Sequence, residues 1–201
     1  MHEPVSVAVI GAGVMGRGIA QVMACAGLET RLFDASAEQL REALARVQNS
    51  MTRAVDRGLL DAAVRDRALQ QLRGETDPEQ AARDVDLVIE AVPERMELKV
   101  EVLRAAAEVA RPDATLASNT SSLSITTLGA RCGLSSRVIG MHFFNPPPKM
   151  ALLEVVRGAA SDDAHVHRAL ALAERLGKQP IEVKDAPGFA SSRLGLVLGA
   201  E

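Results

Sequence analysis

The residues of this 201-residue chain with the most chemistry to offer fall in a few short segments. Gly11-Ala12-Gly13-Val14-Met15-Gly16 has GxGxxG spacing, after a strand-like run and before a helical pattern. In that context Gly11 permits a tight turn, Gly13 leaves room for a pyrophosphate, and Gly16 lets helix and strand pack closely. The positive end of the following helix favours the phosphates, so the whole turn, with Ala12, Val14 and Met15, is a candidate cofactor cradle. Asp34 ends the next strand-like run, 23 residues after Gly11. A carboxylate about 20 residues on accepts hydrogen bonds from a ribose 2′-hydroxyl and repels a 2′-phosphate, which favours NAD over NADP.

A cofactor turn names no substrate. Ser118-Asn119-Thr120-Ser121-Ser122 follows a short strand, where open α/β sheets place ligands. Helix capping by Ser122 or Ser124 explains one or two of these polar residues but not five in a row. His142 ends an apolar run and enters Phe143-Phe144-Asn145-Pro146-Pro147-Pro148. Glu154 lies between Leu152-Leu153 and Val155-Val156, in a strand that should be largely buried, and a buried carboxylate needs a partner. A hairpin-like return after the prolines brings Glu154 near His142. There it would fix the imidazole tautomer and favour its protonated form, as a general base requires. A structural ion pair fits the same pattern equally well.

These residues need a scaffold. VSVAVI (5–10) reads as a strand, followed by a helix with Met15, Ile19, Val22, Met23 and Ala26 on one stripe and Gly27 as its stop. ETRLFD (29–34) alternates as a second strand. Residues 36–57 form a helix, Gly58 ends it, and Asp61 caps another through Leu72, so the pair projects as a helical hairpin between strands. VDLVIEA (85–91) is a strand covered on both faces. A helix over 94–110, a strand over 114–118, a helix over 124–131, strands over 137–142 and 152–156, a helix over 162–176 and a strand over 179–183 complete the series. The fold class is α/β: a Rossmann-like doubly wound sheet, mostly parallel. The link from His142 to Leu152 is too short for a helical crossover, so some strands run antiparallel.

Composition narrows the partners. Lys+Arg 23 against Asp+Glu 26 gives a net charge of −3, which argues against nucleic acid. No Trp, no Tyr and only 4 Phe leave no base-stacking platform. Cys25 and Cys132 have no metal or disulfide spacing, so a metal site is not expected and a reducing cytoplasm fits. No apolar run approaches a bilayer span, and no basic leader opens the chain. With 47% apolar and 24% charged residues, disorder is excluded.

The chain resembles the L-3-hydroxyacyl-CoA dehydrogenase family, in particular its bacterial 3-hydroxybutyryl-CoA branch. The matching segments are VIGAGVMGRGIAQVMACAG (9–27), DLVIEAVPE (86–94), SNTSSLSIT (118–126), GMHFFNPPPKM (140–150), LLEVVRG (152–158) and KDAPGF (184–189). HFFNP together with SNTSS is far more specific than the glycine turn. The resemblance implies NAD-dependent oxidation of a 3-hydroxyacyl-CoA, with hydride passing from substrate C3 to the nicotinamide. It makes His142 the general base, Glu154 its orienting carboxylate, Ser121 a donor to the substrate oxygen, and Asn145 a guide for substrate and nicotinamide. Asp34, Glu94, Lys99 and Asn119 would line the NAD site. Ser192 stands where family members often have a supporting Asn, with a shorter reach. The family also continues into a helical domain that forms a homodimer. Residues 1–185 would then be the NAD-binding domain and 186–201 a linker and the start of that domain, with Leu194, Leu196, Val197 and Leu198 uncovered.

Two other readings stay open. One is a related dehydrogenase of a free 3-hydroxy acid or sugar acid; the other is a non-catalytic dinucleotide-binding protein. Arg53, Arg57 and Arg65 on the hairpin discriminate, because polyanionic CoA needs cations that a free acid does not. Each Arg alone also fits a solvated helix face.

Overall fold

In the computed structural model, residues 5–186 and 188–189 are described. Strand and helix alternate as expected: β1 (Ser6–Ile10), α1 (Val14–Cys25), β2 (Glu29–Phe33), then the hairpin α2 (Ala37–Asp56) and α3 (Ala62–Gln71). Next come β3 (Leu72–Glu75), α4 (Pro78–Ala82), β4 (Leu87–Glu90), α5 (Met96–Val109), β5 (Thr115–Ser118) and α6 (Ile125–Cys132). The chain goes on through β6 (Val138–Phe143), β7 (Leu152–Arg157), α7 (Asp163–Arg175) and β8 (Gln179–Lys184).

One eight-stranded sheet has the order β3-β2-β1-β4-β5-β6-β7-β8. Every neighbouring pair is parallel except β6 and β7. The chain reverses its direction of winding between β1 and β4, and ligand crevices form at such a point beyond the carboxyl ends of the strands. The glycine turn, the 118–122 segment and His142 all stand at that edge.

The inner strands are apolar because helices cover both faces. β4, β5 and β6 are buried throughout, and separate apolar clusters fill each side of the sheet. Burying one such Val, Ile, Leu or Phe contributes about 1.5–3 kcal/mol. A third, smaller cluster, with Val47, Met51 and Ala68, seats the helical hairpin on α1.

Three boundaries depart from the sequence reading. The hairpin's second helix stops at Gln71, and Leu72 opens β3, a strand the sequence does not advertise. LRGE is short and mostly polar, and it pairs with β2 only at the edge of the sheet. α4, five residues opened by Pro78 and capped by Asp77, was also not expected. The helix expected from Glu94 begins instead at Met96, which leaves Glu94 in the preceding loop.

Candidate active site

The glycine turn is built by close approach. Gly11 adopts φ 105°, and a Cβ there would meet the Ala91 carbonyl oxygen at 2.8 Å. A Cβ on Gly16 would lie 1.7 Å from Gly11 O, so only glycine lets α1 start so near the strand end. In front of Gly13 nothing lies within 4 Å, and no side chain caps the first turn of α1. Free N–H groups facing open space fit a pyrophosphate, so this turn passes the test for a dinucleotide. Asp34 lies beside it. Its carboxylate accepts from Ala12 N at 3.0 Å, from Ser36 N at 3.0 Å and from Gln39 Nε2 at 2.7 Å.

A buried charge network lies next to the turn. Lys99 is 1% exposed, and its Nζ pairs with Glu90 Oε1 at 2.7 Å and Glu94 Oε2 at 3.1 Å. Glu90 also accepts from Ser118 Oγ at 2.6 Å and Val92 N at 2.7 Å. Burial pushes the Glu90 carboxyl above its ordinary pKa, against the pull of the Lys99 ammonium. Glu94 goes the other way. Burial opposes its charge, but the Thr120 hydroxyl and Lys99 bring its pKa below the usual range. Glu94 Oε1 gathers Thr120 Oγ1, Ser121 N at 3.2 Å and Ser122 Oγ at 3.0 Å. The carboxylate therefore folds the serine-rich segment around itself.

Glu90 is the residue that sequence reasoning passed over. The signal was present: a carboxylate inside an apolar strand, the same pattern that singles out Glu154.

His142 and Glu154 face each other across the antiparallel pair β6/β7, as the short proline link requires. His142 Nδ1 lies 2.7 Å from Glu154 Oε2, and the carboxylate is fully buried. An ionised carboxylate only accepts, so Nδ1 carries the hydrogen and Nε2 is left to take a proton. The Phe144 ring stands 4.6 Å from the imidazole and the Phe189 ring 5.9 Å, both tilted. Asn119 Oδ1 accepts from Phe143 N at 2.9 Å, tying the end of β5 to the end of β6.

A cavity of about 370 Å³ joins these parts: Met15, Glu94, Lys99, Asn119, Ser121, His142 and Asn145 all line it. Arg53 and Arg57 lie elsewhere. They line a separate cleft of about 610 Å³ with Lys149, Arg175, Lys178 and the apolar Val22, Leu60 and Val64. Arg65 is not in its wall and pairs with Asp66 at 2.7 Å. Pro148 lines the large cleft and Asn145 the small cavity, so the proline loop separates them. Ser192 lies outside the described residues. Among those residues there is no metal-binding cluster.

Asp185, read from sequence as a boundary, has a further part to play. Its carboxylate accepts from Ser124 Oγ at 2.7 Å, Ile125 N at 3.1 Å and Thr126 N at 2.8 Å, capping α6 from the end of β8. Burial works against this charge, but the hydrogen bonds from Thr126, Ser124 and Ile125 hold its pKa below the usual carboxylate range.

The family model described as 3-hydroxyacyl-CoA dehydrogenase, NAD binding domain, matches residues 6–186. The 3-hydroxyadipyl-CoA dehydrogenase of Escherichia coli (strain K12) is 43% identical over 189 residues, which is 94% of this chain and 40% of that protein. The probable 3-hydroxybutyryl-CoA dehydrogenase of Bacillus subtilis (strain 168) is 40% identical over 186 residues, 92% of this chain and 64% of that protein. The crystal structure of (S)-3-hydroxybutyryl-CoA dehydrogenase from Ralstonia eutropha superposes with a TM-score of 0.93 at 39% identity, covering 97% of this chain and 69% of that one. The chain thus spans between 40% and 64% of the length of these two curated relatives.

Proposed function

Because the chain belongs to the 3-hydroxyacyl-CoA dehydrogenase family through its NAD-binding domain, we propose that it oxidises a short-chain L-3-hydroxyacyl-CoA, such as 3-hydroxybutyryl-CoA, reversibly to the 3-oxoacyl-CoA. The observation that carries this reading is the buried His142–Glu154 pair at a cavity that Ser121 and Asn145 share. NAD, when bound, supplies a nicotinamide that accepts hydride.

The chain's own residues do the rest. His142 Nε2 takes the proton of the 3-hydroxyl as the C3–O bond becomes a carbonyl. Glu154 fixes the tautomer through Nδ1 and offsets the positive charge that forms on the ring. The Ser121 hydroxyl donates to the substrate oxygen, and Asn145 helps to place substrate and nicotinamide. Lys99 and Glu94 form the wall against the cofactor site, with Asn119 between them and His142. Asp34 receives the ribose hydroxyls. Arg53 and Arg57, in the larger cleft, take the phosphates of CoA, whose length requires a second compartment beyond the catalytic cavity.

The protein as a whole is read as a cytoplasmic homodimer formed through a helical continuation of the kind residues 186–201 would begin. No helix among the described residues is long and apolar enough to cross a membrane. The test is NADH absorbance with acetoacetyl-CoA and, separately, free acetoacetate. Oxidation of NADH by the thioester alone supports the proposal. Equal rates with the free acid would move the assignment to a free hydroxy acid, and no oxidation with either would leave only a dinucleotide-binding protein.

A further inference from the structure

The loop after His142 has a hydrogen-bonding deficit written into its sequence. Pro146, Pro147 and Pro148 have no N–H, so three successive residues cannot be anchored by donors of their own. Inside the loop, Pro146 O accepts from Lys149 N at 2.9 Å and Met150 N at 3.1 Å, which closes a turn upon itself. At its far end, Ala151 O accepts from Gln179 N at 2.7 Å. The carbonyls of Pro147 and Met150 converge on one external atom, Lys178 Nζ, at 2.6 and 2.8 Å.

Lys178 is placed with care for that task. Gly177, at φ 68°, ends α7 and donates to Glu174 O at 2.9 Å, and Lys178 N returns to Ala173 O at 2.9 Å. The side chain therefore leaves from a fixed point. The Pro147 ring also rests against Gly18 of α1, where a Cβ would come within 2.8 Å of the ring. The loop is thus held both by packing on α1 and by one ammonium group. Among the described residues Lys178 has no carboxylate within ion-pair distance, so its donors go to the loop and not to a salt bridge. It also lines the large cleft, alongside Pro148 and Lys149 of the same loop.

We propose that Lys178 is a positioning residue: its two hydrogen bonds to the Pro147 and Met150 carbonyls set the loop that carries Asn145 into the catalytic cavity. Its effect on turnover rests on the function proposed above, whereas its effect on the loop does not. Lys178→Met keeps the length of the stem and removes the donors. Lys178→Arg restores two donors in a planar fork.

The loop is read by hydrogen–deuterium exchange over residues 144–151, and catalysis by acetoacetyl-CoA turnover of the complete protein. In Lys178→Met, exchange at Asn145, Lys149 and Met150 should rise roughly tenfold, while β6 and β7 keep the parental rate. The kcat should fall roughly 10–100-fold, the scale of a misplaced catalytic group, with the KM for NADH unchanged. Lys178→Arg should recover most of both. Loop exchange equal to the parent's would overturn the proposal, and so would acceleration spread evenly through β6 and β7, which marks a general stability role. A kcat within about twofold of the parent's, well under the 10–100-fold expected of lost positioning, would also overturn it. A parent without turnover would sink the functional reading alone, and the exchange comparison would still decide the case of Lys178.

Discussion

Two buried carboxylates stand on strands of one sheet, Glu90 on β4 and Glu154 on β7 with β5 and β6 between them, and each holds a nitrogen base. Glu90 holds Lys99 at 2.7 Å, and Glu154 holds His142 at the same distance. The surroundings differ. The lysine ammonium meets two carboxylates and a carbonyl, and Glu90 takes two further hydrogen bonds from Ser118 and Val92. That cluster has the form of a fixed joint. The imidazole instead gives one nitrogen to its carboxylate and presents the rest of its ring to a cavity and to two aromatic neighbours. The same pairing has two settings: an ammonium enclosed by acceptors joins parts of a wall, and a ring with one face on a cavity is set where the proposed reaction needs a base.

Breaking each pair in turn separates these ends. His142→Ala should lower turnover by roughly 10²–10⁴-fold, the usual contribution of general base catalysis, while NADH affinity stays near the parental value in a fluorescence titration. Glu90→Gln should act mainly on stability. Among the described residues it leaves Lys99 with Glu94 as its one charged partner, and urea denaturation should report a loss of about 3 kcal/mol, the low end for a broken buried pair. Glu154→Gln sharpens the contrast: shape is kept, the charge behind the imidazole goes, and turnover should drop roughly tenfold or more with a smaller stability loss than Glu90→Gln. If Glu154→Gln proved the less stable of the two, the division of labour would be wrong.

Smaller effects extend the comparison to groups outside these pairs. Among the described residues Asp34 is held by three neutral donors and no cation, which leaves its carboxylate hydrogen-bonding capacity for a ligand. The parent should prefer NADH to NADPH, and Asp34→Ala should narrow that preference by about tenfold, the worth of a hydrogen bond to a charged group. Equal affinities in the parent would rule the role out. His165 is a buried histidine whose Nδ1 meets a hydroxyl in place of a carboxylate, Thr115 Oγ1 at 2.8 Å. Burial pushes its pKa below 6.5, Arg168 and Arg137 push the same way, and Asp162 and Asp113 only partly offset them. The unfolded chain then takes up a proton that the folded one resists, so stability falls as pH drops below 6.5. His165→Gln should flatten that slope in denaturation curves run at successive pH values; an unchanged slope would assign it to another group.

How much of this was legible in the sequence depends on how local each device is. The glycine turn, β1 and α1 are adjacent in sequence, and their spacing alone announces them. The His142–Glu154 pair was also readable, because a proline link too short for a crossover forces an antiparallel return. Glu90 was missed because its partner, Lys99, sits on a helix face that periodicity describes without showing which way it turns. β3 escaped because LRGE lacks an apolar run and is held only at an edge. Lys178 and Asp185 act on segments 28 to 61 positions away in sequence. Nothing within a short window of sequence carries that information.

The proline loop has one more consequence, and it concerns counting. In an antiparallel pair, side chains alternate between faces, and His142 meets Glu154 because the number of residues between them is right. Exchanging one loop residue for another leaves that number alone. Adding or deleting a single residue must either raise a blister in the loop or slide β7 by one step, and a one-step slide brings Leu153 or Val155 opposite the imidazole while the carboxylate turns to the other side of the sheet. The stretch between the two strands is thus open to spelling changes and closed to changes of length: the parity of a loop that touches neither proton nor hydride decides whether the histidine has a carboxylate behind it.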